Sequence, residues 1–152
     1  MGGSSSINGM VYVRGHPSNY NNWEKLGAEN WSYKAVLPYF TKAQSMTGFS
    51  GSATQGSVGP LQTTNGTMEN PLYQTFLEAT KQAGYPQRED LNDGIQEGFG
   101  PLPMTVGEGV RASTSRCYLN ETPSNLTIVK NAQITRINFA SNKATGVDLV
   151  KS

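Results

Sequence analysis

The chain of 152 residues contains one cysteine, Cys117, and one histidine, His16. A single cysteine excludes an internal disulfide framework and any multi-cysteine metal site, and a single imidazole excludes a His-rich metal centre. Charge is also scarce: 12 basic and 11 acidic residues leave a formal charge of +1. There is therefore no electrostatic case for nucleic acid or an anionic membrane surface. No apolar run approaches the roughly 20 residues of a membrane-spanning helix. No signal-peptide core follows Met1. Large apolar side chains are few, with Leu, Ile, Val and Phe making up only about a fifth of the chain, near the range of disordered sequences. Disorder also requires high net charge, which is absent, so the composition predicts one thin-cored domain.

Gly and Pro are plentiful, at 17 and 8 residues, and predict many turns and long connections. Met1–Gly15 is rich in Gly, Ser and Asn and holds the apolar run Met10-Val11-Tyr12-Val13; a region bearing Trp23 and Trp31 follows. Over Ser32–Met46, apolar residues Tyr33, Val36, Leu37 and Phe40 have helical spacing, and Pro38 predicts a kink or two short helices meeting there. Residues 47–67 form a Gly/Ser/Thr-rich connection with one strand candidate, Pro60–Thr63. Pro71–Ala83 is the clearest element. Asn70 can cap it, Pro71 suits the first helical position, and Gly84 can take the terminating left-handed conformation. Its apolar stripe is Leu72, Tyr73, Phe76, Leu77 and Ala83. Tyr85–Gly109 reads as a long turn-rich excursion, and Ser113–Thr122 as a short helix. Leu126–Val129, Ile134–Phe139 and Thr145–Val150 predict a small closing β-meander.

The chemistry is concentrated at the start, in GGSSSINGM, Gly2–Met10. Adjacent glycines allow a backbone to approach a phosphate or planar ring closely, because no Cβ intervenes. Serine hydroxyls and backbone N–H groups can then bind phosphate oxygens. The first six residues alone have the composition of a flexible linker, but the continuation INGMVYVRG is apolar and ordered in character. Asn8-Gly9 on its own is also a common turn pair.

GGSSSINGM followed by VYVRGHPSNYNNW resembles the first signature of the glucose–methanol–choline (GMC) oxidoreductases, its flavin-facing segment. Further matches follow in order: NWSYKAVLPYFTKAQ, GPLQTT, NPLYQTFLEATKQAGYP, QEGFGPLPMTV, GVRASTSRCYL and NLTIVKNAQITRINF. NPLYQTF through EGFGPLPMTV is more similar to choline dehydrogenases than to the glucose oxidases or plant lyases of the family. The resemblance implies an α/β to α+β fold: part of a GMC-type FAD domain with part of the substrate domain. Residues 1–25 would be the flavin-facing segment, 26–110 a mainly helical and loop excursion, and 111–152 a β-rich piece of the FAD domain. The whole would form one incomplete region. It implies FAD contacts at Ser4, Asn8 and Gly9, with Met10 and Val11 alongside, and backbone contacts to the adenine end at Ile134. Some members attach flavin covalently through a histidine where this chain has Ile7, so here FAD would be held non-covalently.

The implied parent reaction is oxidation of an alcohol, choline-like, to its aldehyde, with hydride passing to flavin while a base takes the hydroxyl proton. Another alcohol substrate, or a non-catalytic FAD-binding or interaction remnant, stays open. The family's dinucleotide fingerprint G-x-G-x-x-G and its C-terminal catalytic histidine do not match anything here. The chain is thus expected to be an internal piece, missing parts of its own enzyme and inactive alone, with no catalytic residue of its own. His16 reads as a surface or supporting residue in an extended or turning setting before Pro17. Arg14, Arg111 and Arg116 read as solvated or structurally paired, Cys117 as a buried apolar-type residue, and the two tryptophans as packing residues rather than a cage for a quaternary ammonium.

Overall fold

A computed structural model describes residues 1–48 and 52–151. Residues 49–51 of the Gly/Ser/Thr-rich connection lie outside the described residues. The chain divides into two units, Gly2–Asn120 and Glu121–Ser152 together with Met1. Among the described residues, no helix is long and apolar enough to cross a membrane, and no cluster of His, Cys, Asp and Glu could hold a metal ion.

The larger unit opens with a single turn of 3-10 helix, Gly3–Ser6, followed by α1 (Pro17–Lys25) and α2 (Tyr33–Ala43). The setting of His16 is more defined than the sequence suggests. His16 is extended, as a residue before proline should be, yet it is the cap of α1: its Nδ1 accepts from Ser18 N at 3.2 Å, and Pro17 takes the first helical position. Pro38 lies inside α2 without splitting it, so of the expected kink or helix pair the pair is not formed. Proline removes one backbone donor, but aromatic packing holds the helix as one piece. Tyr20 of α1 is buried against Tyr33 and Phe40 of α2, with ring centroids 6.1 and 5.8 Å away.

Residues after Ala43 leave the helix. β1 (Gln44–Thr47) runs parallel to β2 (Leu61–Asn65), which pairs antiparallel with the short β3 (Pro103–Met104). A bridge from Val11 to Met104 brings the start of the chain onto this sheet's edge. β4 (Val106–Gly107) and β5 (Val110–Arg111) form a tight hairpin, and both of its central residues, Glu108 and Gly109, have positive φ, as a primed turn requires. α3 (Pro71–Gln82) matches the sequence reading closely. Asn70 Oδ1 accepts from Leu72 N at 3.0 Å, and Gly84 terminates the helix at φ +84. Its apolar stripe, however, is largely uncovered: Leu72 and Phe76 are exposed and Thr80 is its buried residue. α4 (Thr114–Tyr118) is capped by Ser113 Oγ and is shorter than the expected span.

The interior of this unit is mostly polar. Arg14 (4% exposed), Gln44, Thr63, Asp90 and Asn92 are all buried, alongside apolar Tyr20, Met46, Pro103 and Ala112. Unpaired buried polar groups are costly, and the residues just named are paired, whereas the Tyr33 hydroxyl and Gln55 Oε1 nearby have no partner among the described residues. The Arg14 guanidinium donates to Thr54 O, Gln44 Oε1 and the Tyr12 hydroxyl and lies 5.2 Å from the Phe40 ring centroid. Gln44 Nε2 donates to Thr63 Oγ1 at 2.8 Å, and Thr63 Oγ1 donates to Met46 Sδ. Burial raises the pKa of the nearby Tyr33 phenol, with the Arg14 charge opposing the rise, so Tyr33 keeps its proton at neutral pH.

The smaller unit contains one antiparallel hairpin, β6 (Ala132–Ala140) and β7 (Lys143–Lys151). The expected three-strand meander is corrected to two strands, because Leu126–Val129 is not in a strand. β propensity marks a segment that suits a sheet but supplies no partner for its hydrogen bonds. Ile134 pairs with Leu149 and Ile137 with Val147, yet all four side chains are exposed, as is Phe139.

Arg14→Met in this chain is expected to cost about 3 kcal/mol, since it strands several buried acceptors. Asn70→Ala should cost about 1 kcal/mol, the ordinary value of a helix cap. Urea denaturation of the purified chain checks both, and an Arg14 variant no less stable than the Asn70 variant would contradict the polar-core account.

Candidate flavin-facing site

The candidate site is the segment Gly2–Val11. Beyond the single 3-10 turn at Gly3–Ser6 its main chain is irregular, with Gly2 at φ +104, Gly3 at φ +57 and Met10 at φ +65. Residues 114, 105 and 111 of distant elements hold it instead. Thr114 N, at the start of α4, donates to Ser5 Oγ at 2.9 Å, and Thr114 Oγ1 donates to Gly2 O at 3.1 Å. Thr105 N donates to Met10 O at 2.7 Å, and Tyr12 N donates to Pro103 O at 2.7 Å. Farther along, Asn92 Nδ2 donates to Tyr12 O and its Oδ1 accepts from Arg14 N at 2.8 Å.

Arg111 makes the densest set of these contacts. Its Nη1 lies 2.8 Å from Asn8 O, 3.0 Å from Asn8 Oδ1 and 3.2 Å from Ser5 O. Asn8 Oδ1 also accepts from Met10 N at 3.0 Å, a local Asx turn that supports the strained Met10 backbone. Sequence reading left Arg111 as a solvated or structurally paired cation. It is a structural clamp on the segment, and its partners lie over 100 residues away, so local pattern carried no signal of it. Arg14 is buried in the core, and Arg116 makes an exposed ion pair with Glu108 at 3.8 Å.

The segment is therefore tied at many points, yet part of it is open. Ser4, Asn8, Gly9 and Val11 are exposed and Met10 is half-buried. Among the described residues, no hydrogen bond reaches Ser4 Oγ or Asn8 Nδ2. A side chain built at Gly3 or Gly9 would meet nothing within 4 Å. Ile7 is 85% exposed on the same turn and offers no nucleophilic atom. This fits an external ligand with acceptor atoms and a flat or anionic surface, which a hydroxyl, an amide N–H and uncluttered backbone can meet.

The structure brings Ser4, Asn8, Gly9, Met10 and Val11 together on one short segment. Ile134 stands in the other unit, on β6, where the ladder shifts register between Ile134 and Arg136. Such an irregularity releases backbone groups from strand pairing. His16 is engaged as the α1 cap, also contacting Ser18 Oγ at 2.7 Å. Cys117 is half-buried on α4 and unbonded to another cysteine, less enclosed than the sequence reading had it. Trp23 and Trp31 pack edge-on at 5.9 Å, though both stay about half exposed.

The two kinds of glycine should respond differently to mutation. Gly2→Ala must hold a left-handed backbone and collide with Ser6 Oγ; it is expected to destabilise the chain by about 1–2 kcal/mol. Gly9→Ala meets open space without positive φ and should leave the thermal midpoint unchanged. A fold loss for Gly9→Ala as large as for Gly2→Ala would contradict the open-face geometry.

Comparison with known proteins matches this architecture. The family model for GMC oxidoreductases covers residues 1–152. The chain is 51% identical over 98% of its length to oxygen-dependent choline dehydrogenase of Photobacterium profundum, covering 27% of that protein. It is 45% identical over 99% of its length to mitochondrial choline dehydrogenase of Homo sapiens, covering 26% of it. Among solved structures, pyridoxine 4-oxidase from Mesorbium loti superposes with a TM-score of 0.88 at 27% identity over 97% of this chain and 30% of that one. An FAD-dependent oxidoreductase from Chaetomium thermophilum gives 0.87 at 25% identity over 97% of this chain and 28% of that one. The chain thus spans about a quarter of the length of the curated relatives it matches. With its whole length matched by the family model, the chain belongs to the GMC oxidoreductases.

Proposed function

We propose that Gly2–Val11 forms a flavin-facing wall of an FAD-dependent oxidoreductase that acts on CH–OH groups, choline dehydrogenase-like in its substrate. The carrying observation is the two-sided segment: its inner side is held by Arg111, Thr114 and Thr105, while Ser4 Oγ and Asn8 Nδ2 stay free on the outer side. Ser4 would give a hydroxyl to the pyrophosphate or ribityl region. Asn8 would orient the ring system by hydrogen bonding, Gly9 would allow close approach, and Met10 and Val11 would lie along the ring. Ile134 would contribute main-chain contacts at the adenine end, which suits the broken ladder beside it. With Ile7 at the attachment position, FAD would be bound non-covalently.

When bound, FAD supplies the acceptor for the hydride leaving the alcohol carbon. This chain's residues contribute binding and orientation. Its one imidazole, His16, uses Nδ1 to cap α1 and to meet Ser18 Oγ, a structural role outside Gly2–Val11, and the proton-accepting base is assigned to other parts of the protein. Accordingly the 152 residues alone should not oxidise alcohols. Residues 1–25 and 111–152 would be FAD-domain pieces, and 26–110 an excursion toward the substrate side. The Arg111 clamp on Ser5 and Asn8 supports grouping the opening segment with the β4–β5 hairpin. Choline is favoured as substrate by the identity to choline dehydrogenases, and a different primary alcohol is the alternative.

The test is flavin content together with dye-coupled alcohol oxidation in the full-length protein. The wild type is expected to retain flavin and to oxidise choline faster than simple aliphatic alcohols. Gly9→Val should lose flavin at least several-fold with no change in the thermal midpoint of the flavin-free protein. Unchanged flavin occupancy in Gly9→Val would remove the assignment of the open face.

A further inference from the structure

We infer that Arg111 is a positioning residue that fixes the Asn8 amide with its donor end outward. This inference rests on the flavin-facing reading of the segment. An asparagine side chain has an accepting oxygen and a donating nitrogen, and rotating χ2 by half a turn exchanges them. Two donors converge on Asn8 Oδ1, Met10 N and Arg111 Nη1, each at 3.0 Å. In the flipped amide, NH2 would face both donors, one of them cationic. The Asx turn alone would be a neutral preference of ordinary strength. The guanidinium makes it charge-assisted, and hydrogen bonds to charged groups are the stronger class.

The clamp is itself well fixed. Nη1 also donates to Asn8 O and Ser5 O, so the same atom registers the side chain against its own backbone and against the preceding turn. Arg111 stands on β5 in register with Val106, and the next residue, Ala112, is 1% exposed and donates its N–H to Thr105 O at 3.0 Å. Thr105 in turn holds Met10 O. Both donors at Asn8 Oδ1 are therefore placed by one short hairpin and its flanks.

The chemical consequence is directional. Asn8 offers the ligand a donor and never an acceptor, and the cation behind Oδ1 polarises that donor further. Its complement is an acceptor atom whose electron density rises on reduction, such as a ring nitrogen or carbonyl oxygen of a flavin. A donor there stabilises the reduced ring and raises its reduction potential.

The experiment uses full-length flavoprotein variants and reads flavin content, visible absorption spectrum, reduction potential and the thermal midpoint of the flavin-free form. Asn8→Asp keeps an oxygen for both inner donors but replaces the outward N–H2 by oxygen. It is expected to leave the thermal midpoint unchanged and to lower the potential. Arg111→Met should lower the potential in the same direction. In an Asn8→Ala background it should lower it no further, since the effect runs through Asn8. If Arg111→Met does not fold, Arg111→Lys, which keeps charge but loses the planar fork, takes its place in the cycle. An Arg111 variant that moves only the thermal midpoint, or that lowers the potential equally with and without Asn8, overturns the positioning role while the flavin-facing reading stands. Wild-type flavin content and potential in Asn8→Ala would overturn both.

Discussion

Burying the Arg14 guanidinium sets the terms for the larger unit. A cation only 4% exposed must have acceptors on every side, and here they come from separate stretches of chain. Tyr12 supplies a hydroxyl, Gln44 of β1 an amide oxygen, and Thr54 a carbonyl, while Phe40 of α2 presents a ring face. The main chain of Arg14 is tied as well, through Asn92 Oδ1 to its N–H and Gln96 Nε2 to its carbonyl. Loops that would otherwise wander are thereby drawn to one point. This explains how a chain poor in aliphatic residues and rich in glycine keeps a defined interior: hydrogen bonds to charged and amide groups replace part of the apolar packing.

The candidate site inherits its geometry from that interior. Arg14 and Asn92 fix the far end of the opening segment, Thr105 and Pro103 fix its middle, and Arg111 with Thr114 fixes its near end. None of these contacts uses Ser4 Oγ or Asn8 Nδ2. A backbone tied at so many points can present open glycines and an oriented amide without collapsing onto them. Proposed flavin binding then requires little reorganisation of these residues, which is the condition for positioning a reactive ring accurately. The exposed apolar faces of α3 and of the β6–β7 hairpin fit a chain that spans about a quarter of its curated relatives.

What could be read in advance follows the range of the interactions responsible. α3 was legible because Asn70, Pro71 and Gly84 each act within a turn of the helix they bound. The candidate residues at Ser4, Asn8 and Gly9 were legible from the ordered family motifs, and their free outer side agrees with that reading without testing it. The helix pair expected at Pro38 does not form, and α2 carries aromatic contacts with Tyr20, a residue well upstream on another helix. α1 was missed because an imidazole cap at His16 is a weak signal beside Ser, Thr, Asp or Asn. Leu126–Val129 was overcalled because strand composition does not guarantee a neighbouring strand. For Arg111 the reading of a solvated or structurally paired cation names no partner because its acceptors, Ser5 and Asn8, lie more than 100 residues upstream. For Arg14 the partners of its side chain, Gln44 and Thr54, lie 30 and 40 residues downstream.

The central claim is that the outer side of Gly2–Val11 faces flavin while its inner side stays clamped. A crystal structure of the flavin-loaded full-length protein tests it most directly. The account predicts flavin atoms within hydrogen-bond distance of Ser4 Oγ and Asn8 Nδ2, with Arg111 Nη1 still on Asn8 Oδ1 behind the segment. Flavin bound elsewhere, or bound with Asn8 flipped and Arg111 released, would contradict it.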